Sequence, residues 1–571
     1  VPAILDNPNQ LFMPGIDVPP GQPNRVGPFI GPGGDGINQG EALSRSWQML
    51  TDEVQRQQQI SADRGLWSGG QPWEGGGPTG AGVVDAAQQY GQGLLAGTTA
   101  PEFRVTPGLA TPRDLAPGED LRVSTRVPTA VPKKGAELPP DPHASPDLQI
   151  NIDASRNSGD AYSKNALGMR GPEYPDLPVK GLRNPDSITE AAINHMSDNL
   201  VFLHDAMLKQ HGPEAVSRAS QWYDGANTIA HDMADRYGYA PQQTAAVIAN
   251  MSPQKDWYQN ADLGDRLINI VRTKQDQGLT PEMDQWGSSY VARAQAKAAK
   301  AVAAAADATP AKQAGAAAQQ AAADNLQMSL QSLQRGATLG EINDPDTRAF
   351  FVRAYDEAHN PRDYPIVTPE GGFAGPALND DGVTPSKVGW GSFVEIKKAL
   401  AALDGPGDLA SISAGLGGNH KVRSFYNNII SPDAPFGDTT IDTHAIAAAH
   451  MRPLSGSDYP VEVGLGLKGS SSAATGSKGA YGIYHEAYQR AADRLGLLPR
   501  QMQSIAWEAV RGLFSPENKD NAAFRDRNYD IWQGFRNGAY DADTARRMVL
   551  DHAQGINAPS WFTPPPGAPT Q

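Results

Sequence analysis

Three short stretches of the chain carry residue types that can do chemistry. Met251-Ser252-Pro253-Gln254 closes an apolar run containing Ala245, Val247 and Ile248. Proline disfavours helix in the residue before it. The run therefore predicts a helix ending in polar Ser252 and Gln254, and alone it is a helix stop and nothing more. Leu416-Gly417-Gly418-Asn419-His420-Lys421-Val422 is glycine-rich and leads into Phe425, Tyr426, Ile429 and Ile430. Glycine takes positive φ freely and asparagine tolerates it better than most residues. Backbone N–H groups at such a turn, opening a helix, suit a DNA phosphate; the plainer reading is an ordinary helix–helix connection. Thr440-Ile441-Asp442-Thr443-His444 runs into Ala445, Ile446 and three further alanines. Asp442 or Thr443 is a natural N-cap, and a cap worth about 1 kcal/mol already accounts for this fragment.

Other constellations fall short of a site. His444 and His450 are six residues apart, off the i, i+4 spacing that would put two ligands on one helix face, so no zinc site is expected. His485-Glu486 lacks the second histidine of a metalloprotease helix, and the glycines from Gly464 to Gly469 lack Walker spacing. Tyr481, Tyr484, Tyr488 and Trp507 lie on helical patterns and read as core.

The elements that must position these stretches are mostly helical. Ser187 and Glu190 have capping-box spacing, and Ile188, Ile193, Met196, Leu200, Leu203 and Met207 follow at helical intervals. Gly212-Pro213 ends that helix, and a second runs to about Tyr237. Pro241 opens a third over Pro241–Met251, and a fourth covers about 260–275. Residues 291–335 are dominated by Ala, Gln and Lys and predict an exposed helical insertion. Residues 360–385 read as irregular loop with one short strand. Helices resume at about 393–403, then at 481–495, 499–513, 523–534 and 542–552, with a Gly/Ser-rich loop at 464–480.

Before residue 186 the chain is different. Only two short helices are expected, at about 41–63 and 82–95, between stretches rich in Pro and Gly. Such a segment buries too little apolar surface to offset its chain entropy. The organisation is thus an extended arm at 1–185, a helical core at 186–455 with the Ala-rich insertion, a C-terminal helical region at 456–557 and a Pro-rich tail at 558–571.

In this order, the three stretches resemble the helix-hairpin-helix DNA glycosylase superfamily, with an endonuclease III-like core. That family has an apolar helix ending in Ser-x-Gln, a Leu-Pro-Gly-x-Gly-x-Lys hairpin, and a Val-Asp-x-His segment some twenty residues on. Lys421 and Asp442 are 21 residues apart. The resemblance implies that Lys421 is a Schiff-base nucleophile and Asp442 the catalytic carboxylate. It puts Gln254 near the void left by a flipped base and Gly417, Gly418 and Asn419 on the phosphate-binding hairpin, with His420 and Arg423 beside it as DNA contacts. The chemistry is coherent: a carboxylate stabilises the cationic sugar as the base leaves, a lysine of depressed pKa attacks C1′, and the base is first flipped out. The sequence departs from the pattern at Asn419, where a second glycine is usual, and before Gly417, where a proline is usual. No cofactor and no metal are implied.

A softer resemblance is to tailed-phage proteins that travel with DNA, on residues 89–101, Trp390-Gly391-Ser392-Phe393 and the helix Gln501–Arg511. It implies DNA and other virion proteins as partners, the arm as the docking element, and the virion and host bacterial cytoplasm as location. Composition bears on the choice of function. A net charge of −15 argues against a protein that coats DNA with its whole surface, while leaving a local basic site open. With no cysteine, disulfides, Cys-ligated zinc and the iron–sulfur loop of some glycosylases are excluded. No membrane-spanning run and no secretory signal are expected. Two readings stand: a phage-borne glycosylase/AP lyase acting on damaged or modified DNA through Lys421 and Asp442, or a non-catalytic virion or ejection protein reusing the fold.

Overall fold

The computed structural model describes residues 156, 159–253, 255–379, 382–417, 420–434, 438–465 and 480–562. The arm up to residue 155, with its helices at 41–63 and 82–95, and the positions Gln254, Gly418 and Asn419, lie outside the described residues. The described chain is mainly α, as the periodicity predicts. Among the described residues no helix is long and apolar enough to cross a membrane.

The chain divides into two compact units. Of the smaller, the described part is residues 300–318, comprising a helix end, a turn and a helix start. Gln313 Nε2 donates to the Ala306 carbonyl there at 3.1 Å.

The larger unit is organised around two helices. The first hub is α4 (Pro241–Asn250), every residue of which from Gln243 onward is buried. Around it pack α3 (Trp222–Tyr237), α5 (Trp257–Thr273), α9 (Phe393–Asp404), α10 (Leu409–Leu416) and α11 (His420–Ile430). The second hub is α2 (Pro185–Ala219). Against it lie α1 (Asp160–Gly168), α12 (Thr443–His450), α14 (Tyr481–Leu495) and α15 (Pro499–Leu513). The remaining helices are α6 (Pro281–Ala305), α7 (Pro310–Gln334), α8 (Pro345–His359), α13 (Tyr459–Leu465), α16 (Pro516–Asp520), α17 (Ala522–Arg536) and α18 (Ala542–His552). The strands β1 (Pro365–Val367) and β2 (Phe373–Pro376) form an antiparallel pair.

Several expectations shift in detail. The start of α2 is capped by Asn184, whose side chain accepts from the N–H groups of Asp186 and Ser187, while Glu190 pairs with Arg490 instead of closing a capping box. Gly212, at φ 82°, breaks α2 as expected, and the chain resumes as a short helix before α3. The Ala-rich stretch is two helices, α6 and α7, because Pro310 starts a second one. Alanine contacts are its own seam: Ala294, Ala298 and Ala323 cluster with Leu326, and Leu330 and Leu333 reach the main core. That core is continuous from Tyr162 to Phe562. It therefore takes in residues assigned above to the arm, the C-terminal region and the tail.

Two packing constraints stand out. Gly225 of α3 meets the 369–371 turn so closely that a Cβ there would lie 2.2 Å from the Pro369 carbonyl oxygen. Near α1, Asp176 is wholly buried against His450, Nδ1 to carboxylate 2.7 Å, and Tyr484 contacts the other ring nitrogen at 2.9 Å. Burial pushes the Asp176 carboxyl up, but His450 and Arg452 outweigh it and hold it below the usual range.

Gly225→Ala is expected to cost about 1–3 kcal/mol, because the obstructing atoms are backbone and cannot rotate away; a urea unfolding curve with a lower midpoint and unchanged slope checks this. Asp176→Ala leaves His450 without its buried partner and is expected to cost about 3–5 kcal/mol. The depressed carboxyl contributes stability in full above the unfolded value of about 3.9 and loses it as pH falls through the lower folded value. The gap between wild type and Asp176→Ala in acid titrations of stability is therefore expected to close only below about pH 4.

Candidate functional site

Lys421 stands in the first turn of α11. α10 ends at Gly417, whose φ of 70° is a conformation that favours glycine. α10 was not legible beforehand; Asp408 caps it through the Ser411 N–H at 2.8 Å. The Lys421 ammonium reaches across to the end of α4 and donates to the Ser252 carbonyl at 2.7 Å. The first and second motifs thus meet. Ser252 itself is buried, and its hydroxyl has no hydrogen-bond partner among the described residues.

The third motif arrives from the other hub. Asp442 is the N-cap of α12, accepting from the Ala445 N–H at 2.8 Å. Its approach is fixed from two sides. Asn428 of α11 donates to Thr440 Oγ1 at 3.1 Å, and the Tyr481 hydroxyl accepts from the Ile441 N–H and donates to the Thr439 carbonyl, both at 3.0 Å. Tyr488 donates to the Ala445 carbonyl. The tyrosines of α14 are therefore core residues that set the position of Asp442.

Asp442 is close enough to Lys421 for its charge to act on the amine. Burial lowers the Lys421 pKa, and the charges of Asp442 and Glu395 oppose that without cancelling it. The residue is half-buried, so solvent still reaches part of it. The half-buried Glu395 carboxyl, pushed up to about 7 by burial, caps α9 through Ser392. Burial thus leaves Lys421 an amine of reduced basicity, the state in which a lysine acts as a nucleophile.

Two residues expected on the DNA-facing surface lie inside the hairpin. Arg423 is buried; its guanidinium donates to the Ser413 hydroxyl at 2.9 Å and carbonyl at 3.0 Å, and to the Gly417 carbonyl. It ties α11 to the end of α10 instead of standing on a rim. His420 is buried with its ring 5.1 Å from that of Tyr481. The apolar pattern of α11 was dense enough to draw both inward.

The structure adds an aromatic wall that sequence reasoning missed. Trp222 sits among Trp257, Tyr258, Trp507 and Trp561, ring centroids 6.0–6.2 Å apart. Phe425 of α11 meets Trp257 at 5.8 Å, and His444 meets Trp507 at 6.0 Å, so the wall adjoins the Lys421–Asp442 pair. Behind it the buried Glu508 accepts both the Trp222 and Trp561 indole N–H groups, at 2.9 and 2.8 Å. These residues come from α3, α5, α15 and the C-terminal segment; only the i, i+4 pair Trp507 and Arg511 hinted at it in sequence. Among the described residues no group of three or more His, Asp or Glu is arranged to hold a metal ion.

Residues 189–315 and 384–514 match the profile of a family of unknown function, DUF7178. The first stretch holds Trp222, Ser252, Trp257 and Tyr258; the second holds Lys421, Asp442, His444, Trp507 and Arg511. No curated protein and no solved structure matches the chain.

Labelling of Lys421 by an amine-reactive reagent, followed by mass spectrometry across pH, is expected to show a midpoint below 10.5. In Asp442→Asn the midpoint is expected to fall further, because the carboxylate favours the ammonium form.

Proposed function

We propose that this chain is a DNA-processing protein of the helix-hairpin-helix glycosylase/AP-lyase type, acting on damaged or modified DNA. The observation that carries the reading is the meeting of Lys421, of lowered pKa, with Asp442 where the α4 and α2 groups of helices join. The neutral amine attacks C1′ of the target sugar. The bond to the base breaks, and the base leaves with the electron pair while Asp442 stabilises the cationic sugar. Loss of a proton and ring opening give an imine to Lys421, and β-elimination then releases the 3′ strand. The phage resemblance makes the virion and the infected bacterial cell the setting of this activity.

A second reading, a non-catalytic virion protein, is favoured by one observation: the Lys421 ammonium is already engaged by the Ser252 carbonyl. Borohydride trapping on a duplex with one abasic site separates the two. The wild type is expected to form a covalent adduct, and Lys421→Ala none. The rate is expected to rise with pH as the amine deprotonates, and to fall by about 10²-fold or more in Asp442→Asn, the scale on which removing one electrostatic stabiliser acts. DNA binding without any adduct would leave the non-catalytic reading.

A further inference from the structure

Beside Lys421 and Asp442 stand three side chains that the lyase chemistry does not use. Arg511, in the last turn of α15, holds its guanidinium carbon 4.3 Å from the Trp507 ring centroid and 5.7 Å from that of Tyr258. The rings fix it, yet it makes no hydrogen bond or ion pair at contact distance among the described residues. Buried arginines elsewhere differ: Arg423 is spent on Ser413 and Gly417, Arg500 on the Pro432 and Ala434 carbonyls, and Arg266 on Asp356. The second side chain is Lys519 of α16, whose amine likewise has no contact partner among the described residues. Burial, with Arg511 alongside, pushes it down to about 8, so it remains mostly charged at neutral pH. The third is His444, its ring against Trp507. Burial first, then Lys519, Arg511 and Lys421, hold it well below the usual histidine range, so it is neutral and offers one N–H.

Three of the nearby carboxylates already accept hydrogen bonds, while the charge of Asp520 acts on its neighbour Lys519. Asp442 and Asp256 cap α12 and α5, and Glu508 holds two indoles. What remains on these three side chains is a set of unspent donors along one edge of the aromatic wall. A guanidinium covered on its faces by rings presents its N–H edge, and that fork matches two oxygens of a phosphate. A lysine adds a point charge, and a neutral imidazole adds one donor.

We propose that Arg511, Lys519 and His444 form a phosphate subsite that holds a nucleic-acid backbone phosphate next to the Lys421–Asp442 pair. The proposal rests on the reading of that pair as a DNA-processing site. A free phosphate or nucleotide shares the same chemistry, and the test distinguishes the two sources.

The experiment uses the full chain and a duplex carrying a tetrahydrofuran abasic analogue, which cannot form an imine. Binding is followed by fluorescence anisotropy over a salt series for wild type, Arg511→Gln and Lys519→Gln. Each variant is expected to bind about threefold to tenfold more weakly at 0.1 M salt, whatever the sequence, with the slope of log K against log salt reduced by about one. Lys519 lies on a short helix with no buried residue, so Lys519→Gln keeps the test valid where Arg511→Gln fails to fold. Unchanged slopes in folded variants overturn the subsite, even if borohydride traps an adduct. Reduced slopes without any adduct support the subsite and remove the lyase reading. In a parallel arm, inorganic phosphate and pyrophosphate are titrated while tryptophan fluorescence is read. A response lost in the variants, from a chain that ignores DNA, supports a phosphate site but overturns its backbone source. No response to either ligand overturns the proposal.

Discussion

Helix α4 is buried on every side, and the rest of the structure follows from that constraint. A helix with no solvent face must have its polar side chains answered by protein. Gln243 donates to the Leu403 and Gly405 carbonyls and accepts from the Ala240 N–H; Thr244 donates to the Ala230 carbonyl. These bonds tie α4 to the middle of α3 and to the end of α9. They also bring the C-terminal end of α4 to a defined place, and the Ser252 carbonyl there is where Lys421 arrives. The position of the amine is thus inherited from a buried polar network rather than from the hairpin alone.

The second half of the site is built on a different principle. Asp442 is held by hydrogen bonds to the residues on either side of it: Asn428 donates to the Thr440 hydroxyl, Tyr481 accepts from the Ile441 N–H, and Tyr488 donates to the Ala445 carbonyl. An N-cap with such a frame has little freedom to turn. A carboxylate that must stabilise charge without reorganising gains from rigidity of this kind. The amine and the acid therefore meet with their frames already set, one from each hub helix.

Much of this was legible in the sequence because it is local. The helix ending at Asn250, the break at Gly212 and the capping role of Asp442 follow from neighbouring residues. Asn184 outcompetes Ser187 as a cap because Pro185 follows it directly and already has helical φ, a local signal that was available. The helix at 409–416 was hidden by its flanking Gly405-Pro406-Gly407 and its serines. The inward turn of Arg423 depends on Ser413, ten residues away across a turn, and the aromatic wall depends on Trp222, Glu508 and Trp561, far apart in the chain. No pattern of spacing within one element reports such contacts. The Ala-rich stretch misled for a related reason: alanine favours helix everywhere, so only Pro310 marked the break.

The wall has one more consequence, which concerns the order in which the chain is made. Trp222 and Glu508 are joined by a bond spanning 286 residues, and Trp561 closes the same carboxylate from 53 residues further on. During synthesis the first of these indoles emerges long before its acceptor exists. Until the final segment arrives, α3 presents an open aromatic face with an unpaired indole N–H. Folding of this unit is therefore weighted towards its end, and contacts of such separation form slowly. A nascent chain stalled before residue 561 would carry Lys421 and Asp442 while still lacking the Trp561 end of the aromatic wall beside them.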